Sequence, residues 1–114
     1  MHEMSIAQNI IEIVEEISKE NQIKQVKKVI VKIGKLVAVV PDSLQFCYET
    51  LTMGTHLENS KLEIDIIPIS GKCNKCNKTF EVESHFFSCP FCESSDIKIL
   101  QGQELNISEL EVDE

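Results

Sequence analysis

Two C-x-x-C pairs constrain the fold of this 114-residue chain more than any other feature of its sequence. Cys73 and Cys76 form the first pair, Cys89 and Cys92 form the second, and twelve residues separate the two pairs. A tight turn within each pair lets both thiolates point at one centre, and a hairpin between the pairs can complete the tetrahedral sulfur site that zinc prefers. About 25 residues bury too little apolar surface to fold alone, whereas a structural zinc can supply about 10 kcal/mol of coupled folding energy. The spacing therefore predicts a short zinc ribbon, whose structural Zn²⁺ has no open position for catalysis.

Other interpretations of the four cysteines stay open. Disulfides are disfavoured because Cys47 makes the cysteine count odd and because the first residues, MHEMSIAQNI, lack the basic and apolar regions of a signal peptide. The same start, together with the lack of a long apolar run, predicts a cytoplasmic protein. Iron is a second alternative, since tetrahedral geometry alone does not separate it from zinc. His85, just before the second pair, is an alternative ligand, although a surface or hydrogen-bonding role is the simpler interpretation.

Hydrophobic periodicity predicts two helices and several strands. From Met4 to Lys19 the apolar residues recur at the i, i+3, i+4, i+7 spacing of an amphipathic helix. A second helix is predicted from Pro41 to Gly54, because a proline and an acidic residue precede apolar positions at helical spacing. Strands are predicted over 26–33, 62–66, 97–99 and 105–112, with Gly102 as a turn or bulge, and 79–83 can form a further strand between the cysteine pairs.

The composition changes sharply within the chain. Residues 71–96 hold four of the five cysteines and four of the five phenylalanines, but no aliphatic residue larger than Val82. We therefore expect an α+β fold, in which two helices pack on a small, mostly antiparallel β-sheet and a zinc-ribbon module is inserted between strands. The expected boundaries are 1–69 and 99–114 for the main α/β domain and 70–98 for the zinc-binding domain.

Net charge and missing motifs narrow the function classes. The chain carries a formal net charge of −8 at pH 7, which opposes binding to nucleic acid or to anionic lipid. The sequence contains no catalytic triad, no phosphate-binding loop and no paired-histidine metal motif, so an enzyme is not expected.

The first three residues, Met1-His2-Glu3, contain a candidate site for a second kind of metal. The terminal amine, the imidazole of His2 and the first backbone amides lie within a few bonds of one another, so they can converge on one ion. Nitrogen donors in a square-planar array suit Ni²⁺ or Cu²⁺ better than Zn²⁺. The simpler interpretation of His2 is a flexible terminal histidine without a metal.

The combination of motifs resembles the HypA/HybF family across essentially the whole chain. The motifs are the Met1-His2-Glu3 start, the segment Lys32-Ile33-Gly34, the segment Phe46-Cys47-Tyr48-Glu49 and the paired C-x-x-C motifs. Members of that family are nickel metallochaperones that help to mature nickel-iron hydrogenases.

The resemblance implies both the site residues and the partners. It implies a nickel-binding α/β domain that carries Met1, His2 and Glu3, with His2 as the principal ligand of a transient Ni²⁺ cargo. It implies a separate domain in which a structural Zn²⁺ is held by Cys73, Cys76, Cys89 and Cys92. The implied partners are a HypB-type GTPase and the hydrogenase large-subunit precursor, and urease maturation proteins for some members; a homodimer is left open.

A second function class fits the same cysteines. A zinc-ribbon adaptor that binds a protein surface and carries no nickel would show the same C-x-x-C pairs. The two classes differ in whether one equivalent of nickel binds at the start of the chain.

Overall fold

The computed structural model describes residues 3–82 and 87–112. Its elements, in chain order, are α1 (Glu3–Glu20), β1 (Val26–Gly34), a 3₁₀ turn (Lys35–Val37), α2 (Pro41–Thr52), β2 (Lys61–Ile67), β3 (Ile69–Cys73), β4 (Thr79–Val82), β5 (Ile97–Gln101) and β6 (Leu105–Val112). The two helices accompany two small sheets, so the predicted α+β class with mostly antiparallel strands is confirmed. No helix within the described ranges is both long and apolar enough to cross a membrane.

Helix α1 buries the apolar stripe that its sequence predicts. Ala7, Ile10 and Val14 are at most 4% exposed, and Ile6 extends the same face. The helix ends where the amide N–H of Asn21 donates to the carbonyl of Ile17. The buried stripe packs against α2, which fixes the two helices relative to each other.

Helix α2 begins at Pro41, whose missing N–H and fixed φ suit the first turn of a helix. Leu44 and Tyr48 are fully buried on its inner face, and Cys47 is a core residue at 8% exposure. The Tyr48 hydroxyl lies 2.6 Å from the Ser60 hydroxyl, and burial raises the pKa of the tyrosine. This hydrogen bond ties the helix to the loop that follows it.

The strands form two three-stranded sheets rather than the one sheet that the sequence predicts. One sheet has the order β2-β1-β6, and the other has the order β4-β3-β5. In the second sheet β3 pairs antiparallel with both neighbours, and an irregularity lies between Ser70 and Gly71 on the β5 side. The central strand β3 ends at Cys73, so the first cysteine of the first pair belongs to this sheet.

The chain divides into two compact units. The first contains 3–32, 39–65 and 106–112, and the second contains Ile33–Ala38 and the described part of 66–105. All four cysteines of the C-x-x-C pairs belong to the second unit. The sequence places the zinc-binding domain over 70–98. These boundaries state which segments fold independently, and they stay a prediction.

A close approach of two glycines shapes the second unit. A Cβ atom added to Gly34 would lie too close to the backbone of Gly102 for any side chain to fit. Gly34 donates its N–H to the Glu104 carbonyl at 2.7 Å, and Leu36 donates to the Gly102 carbonyl at 2.9 Å. Gly102 has φ +114, a conformation that favours glycine, and this confirms the turn predicted there.

Candidate metal centre

The four paired cysteines converge on one point. Their Sγ atoms all lie within 4.8 Å of one another, with Cys73–Cys92 at 3.5 Å and Cys76–Cys89 at 3.6 Å. A tetrahedral ion with Zn–S bonds of about 2.3 Å holds its sulfur ligands about 3.8 Å apart. The sulfur positions are therefore close to those of a four-thiolate ion. Burial is uneven, because Cys73 and Cys89 are buried whereas Cys92 is exposed.

The two C-x-x-C pairs have the same backbone geometry. In the first pair the Cys73 N–H donates to the Lys78 carbonyl, and Asn77, at φ +61, donates back to the Cys73 carbonyl. In the second pair Cys89 donates to Ser94, and Glu93, at φ +65, donates back to Cys89. The positive φ four residues after the first cysteine reverses the chain, and among residues other than glycine, asparagine tolerates it well.

Backbone N–H groups inside these turns point at sulfur. The Cys76 N–H lies 3.5 Å from the Cys73 sulfur, and the Phe91 N–H lies 3.4 Å from the Cys89 sulfur. Hydrogen bonds of this kind favour the charged form of a thiol over the neutral form. The turns therefore provide both the geometry and the electrostatic environment of thiolate ligands.

The sulfurs cannot all ionise together without a cation. The Cys76 N–H is the main cause that lowers the pKa of Cys73 to about 6. The Ser94 N–H acts in the same direction on Cys92, yet the Cys73 sulfur, burial and the remaining sulfurs outweigh it and raise the pKa of Cys92 to about 12. Like charges this close disfavour a second ionisation, and a divalent ion at the centre removes that penalty. The donor set thus fits a thiophilic divalent metal.

Two contacts join the turns to each other. Asn74 donates its backbone N–H to the Asp96 carbonyl at 2.9 Å and its side-chain amide to the Asp96 carboxylate at 3.0 Å. The Lys78 ammonium lies 4.6 Å from the centroid of the Phe91 ring, within cation–π range. Sequence analysis missed both contacts, because the residues of each pair are far apart in the chain and carry no shared motif.

The predicted nickel ligands lie largely outside the described residues. Met1, His2 and the alternative zinc ligand His85 are among the residues that the structure does not describe. Glu3 is described, and it is the first residue of α1. Its Oε2 atom accepts a hydrogen bond from the Val40 N–H at 3.0 Å, immediately before α2 begins. This contact places the start of α1 beside the start of α2 within the first unit.

The fold and the site together define a small α+β metal-binding protein with a four-cysteine centre of the zinc-ribbon type. A family model described as "Hydrogenase/urease nickel incorporation, metallochaperone, hypA" matches residues 1–112. The chain therefore belongs to the HypA family, whose described role is that of a metallochaperone.

Individual relatives match along their whole length. The hydrogenase maturation factor HypA of Geobacter sulfurreducens is 41% identical over 113 residues, which cover 99% of this chain and 100% of the relative. That of Trichodesmium erythraeum is 44% identical over 114 residues, covering 100% of this chain and 97% of the relative. The solution structure of the Ni metallochaperone HypA from Helicobacter pylori superposes with a TM-score of 0.70 at 27% identity, covering 98% and 97% of the two chains.

Proposed function

We propose that this chain binds Ni(II) at its N-terminus through Met1, His2 and Glu3 and delivers it during the maturation of nickel-iron hydrogenase. The observation that carries the proposal is the family match over 1–112, which includes the Met1-His2-Glu3 start. A relative named as a Ni metallochaperone has the same fold over nearly its whole length, and this supports nickel as the cargo.

The chemistry of the first residues supports a site for exchange rather than storage. The amine of Met1, the imidazole of His2 and the adjoining backbone nitrogens are borderline donors that suit Ni²⁺. Ligands at the end of a chain can be released one after another to an incoming set of ligands. A partner can also supply coordination positions that the short segment leaves open.

Glu3 is the one proposed nickel ligand that the structure describes. Its carboxylate accepts a hydrogen bond from the Val40 N–H, so Glu3 itself is anchored at the start of α2. A carboxylate at this end also interacts favourably with the positive end of its own helix. We expect Glu3 to contribute to nickel binding through this placement as well as through its own donor atoms.

The four cysteines have a structural role in this proposal. We assign Zn²⁺ to Cys73, Cys76, Cys89 and Cys92, because four thiolates saturate the ion and stabilise a sheet with few buried aliphatic side chains. The zinc-binding domain is proposed to extend over 70–98, and the nickel-binding domain over 1–69 and 99–114.

The proposed partners follow from the proposed role. A HypB-type GTPase would act with the chain, and the hydrogenase large-subunit precursor would receive the nickel in the cytoplasm. Urease maturation proteins are an additional proposed recipient, since the family description names urease as well as hydrogenase. A zinc-ribbon adaptor without nickel is the competing function.

Nickel titration of untagged, zinc-loaded protein by calorimetry tests the proposal. The native chain should bind one tight equivalent of Ni²⁺, and His2→Ala should lose it while zinc content and the circular dichroism spectrum stay unchanged. Asn9→Ala, a substitution at an exposed α1 position, is the matched control and should bind like the native chain. Tight binding that survives His2→Ala would contradict the assignment of the ligands, whereas a native chain without a tight equivalent of Ni²⁺ would favour the adaptor.

Glu3 allows a finer comparison within the same titration. Glu3→Gln keeps an oxygen that can accept the Val40 N–H, whereas Glu3→Ala removes it. If placement matters, Glu3→Gln should retain more nickel affinity than Glu3→Ala. Equal losses in both variants would show that the carboxylate acts only as a ligand.

A further inference from the structure

A histidine and a glutamate of the first unit approach each other, and neither belongs to the four cysteines or to the N-terminal segment. The Nδ1 atom of His56 and the Oε1 atom of Glu15 are 3.5 Å apart. Glu15 is on α1, and His56 is in the loop that follows α2. Both side chains are partly exposed, at 40% for His56 and 43% for Glu15, so an ion from solution can reach them.

A separation of 3.5 Å permits an ion pair, and it also suits two ligands of one bridging ion. N–H···O hydrogen bonds fall at about 2.7–3.2 Å. Two ligands on one ion with bonds of about 2.1 Å lie about 3.4 Å apart at a tetrahedral angle and about 3.0 Å apart at a right angle. The observed separation of 3.5 Å matches the tetrahedral value, and a small movement of the two side chains would reach the right-angle value.

The loop that carries His56 is held by its own hydrogen bonds. Thr55 donates its N–H and its hydroxyl to the Thr52 carbonyl, at 3.0 and 2.7 Å. The Leu57 N–H donates to the Thr55 hydroxyl at 3.1 Å, and the Leu57 side chain is fully buried. Because its two neighbours are fixed in this way, the imidazole is presented to α1 with little ordering cost.

A cavity of about 560 Å³ adjoins the pair and leaves room for the rest of a coordination sphere. Its lining also includes Glu16, Lys19 and Lys24, as well as Ser18, which is 4% exposed. The Ser18 hydroxyl is buried without a hydrogen-bond partner among the described residues. This unsatisfied hydroxyl lies beside the cavity, although its oxygen is not itself exposed to it.

The charges around the cavity indicate which kind of ion would bind. The two glutamates and the two lysines of the lining cancel formally, so no strong negative field attracts hard cations such as Mg²⁺ or Ca²⁺. Binding must instead come from the coordinate bonds of an imidazole and a carboxylate, and these favour Ni²⁺, Cu²⁺ or Zn²⁺. With only two protein ligands, the affinity should be lower than that of a saturated site.

The geometry points to His56 and Glu15 as an auxiliary binding site for a divalent transition-metal ion, distinct from the four cysteines and from the N-terminal residues. The site offers an imidazole nitrogen and a carboxylate oxygen, and water completes the coordination sphere. It does not depend on the proposed N-terminal nickel site, since none of its residues belongs to that segment.

Nickel titration of zinc-loaded His2→Ala protein, followed by amide NMR, tests this inference with Ni²⁺ alone as the probe. The cysteines are then filled, and the proposed tight site is removed. A weak equivalent should bind and broaden the amide signals around His56 and Glu15. Adding His56→Ala should abolish the binding and the broadening, and Glu15→Gln should weaken both. Glu12→Gln, an exposed glutamate of the same helix outside the cavity, is the control and should leave them unchanged.

Three results would overturn the inference. One is broadening that is absent up to millimolar nickel, another is broadening centred elsewhere, and the third is broadening that persists in the variant without His56. The proposed N-terminal site is judged separately, by the tight equivalent in protein that retains His2. The two hypotheses can therefore fail independently.

Discussion

The two compact units are stabilised in different ways. The first unit buries an aliphatic core from both helices and from strands β1 and β2, including Ile10, Val29 and Leu44. In the second unit, the buried apolar residues among those described are Ile33, Ile69 and Val82, together with Cys73 and Cys89. Part of the second core is therefore also the metal-binding site. One unit can thus rely on hydrophobic burial, whereas the other has fewer buried apolar side chains and is expected to depend on a metal ion at its four cysteines.

Removal of the metal should produce the largest difference between the units. Chelation of the ion from native protein should unfold the second unit, because ion binding contributes about 10 kcal/mol of coupled folding energy to sites of this kind. The helices of the first unit should persist. Amide NMR before and after chelation, with elemental analysis of the released metal, measures both effects. Dispersed signals from β3 and β5 in metal-free protein would show that the second unit stays folded without the ion, and this would contradict the difference between the units.

A core substitution should produce the opposite pattern. Leu44→Ala removes a fully buried side chain from the first unit and should lower the free energy of unfolding by about 2–5 kcal/mol. Metal content should stay at the native value, because the cysteines belong to the other unit. Urea denaturation followed by helix signal measures the loss. Phe46→Ala, at a position that is 67% exposed on the same helix, is the control and should change stability by less than about 0.5 kcal/mol.

The acidity of the cysteines predicts how metal affinity depends on pH. Protons compete with the ion for thiolates, so affinity should fall as pH falls. Because the pKa of Cys73 is about 6 in the metal-free state, that thiol is already ionised at pH 7–8. It therefore does not contribute to the pH dependence of metal affinity in this range. The pKa of Cys92 is about 12, so this thiol must lose its proton on binding throughout that range, which costs about tenfold in affinity per unit of pH decrease.

Competition titrations with a zinc indicator between pH 7 and 8 measure this dependence. The hydrogen bond from the Lys78 N–H lowers the pKa of Cys76, but burial and the Cys89 and Cys73 sulfurs outweigh it and raise that pKa above its usual value, so Cys76 is also protonated in this range. The number of protons released per zinc should therefore be at least two and fewer than four. Release of four protons would mean that Cys73 is not ionised beforehand. Release of one or none would mean that Cys76 or Cys92 does not lose a proton to the ion.

The contact between Lys78 and Phe91 should give the smallest effect. Lys78→Met keeps the length of the side chain but removes its charge, and it should destabilise the metal-loaded second unit by about 0.5–1 kcal/mol. Lys75→Met is the matched control, because it also removes a positive charge beside the first cysteine pair. A larger effect of Lys78→Met than of Lys75→Met therefore measures the contribution of the ring contact. Thermal unfolding of both variants in saturating zinc makes the comparison. Equal changes would mean that general charge neutralisation, and not the ring contact, is responsible.

The local elements could be predicted from the sequence because each carries its own periodicity. The spacing of Ala7, Ile10 and Val14 predicts α1, and the C-x-x-C spacing predicts the convergence of four sulfurs, and both are confirmed. Strand β3 was missed because its inward positions after Ile69 are Gly71 and Cys73, which do not form an apolar alternation.

Contacts between residues that are far apart in the chain leave no comparable pattern in the sequence. The division of the strands into two sheets depends on pairings between distant segments, such as Gly71 with Ile99. The link between Asn74 and Asp96 joins two short polar residues that appear in the sequence as ordinary turn residues. The contact of Glu3 with Val40 spans 37 positions and involves a backbone group, which no side-chain pattern reveals.

The central claim is that nickel is held by nitrogen donors at the start of the chain. X-ray absorption of untagged, zinc-loaded protein with one equivalent of Ni²⁺ tests it most directly, in parallel with a variant that carries two extra residues before Met1. The account predicts a nickel spectrum with nitrogen and oxygen donors that include imidazole, and the loss of that spectrum in the extended variant. A spectrum with sulfur ligands, or one that the extension leaves unchanged, would contradict it.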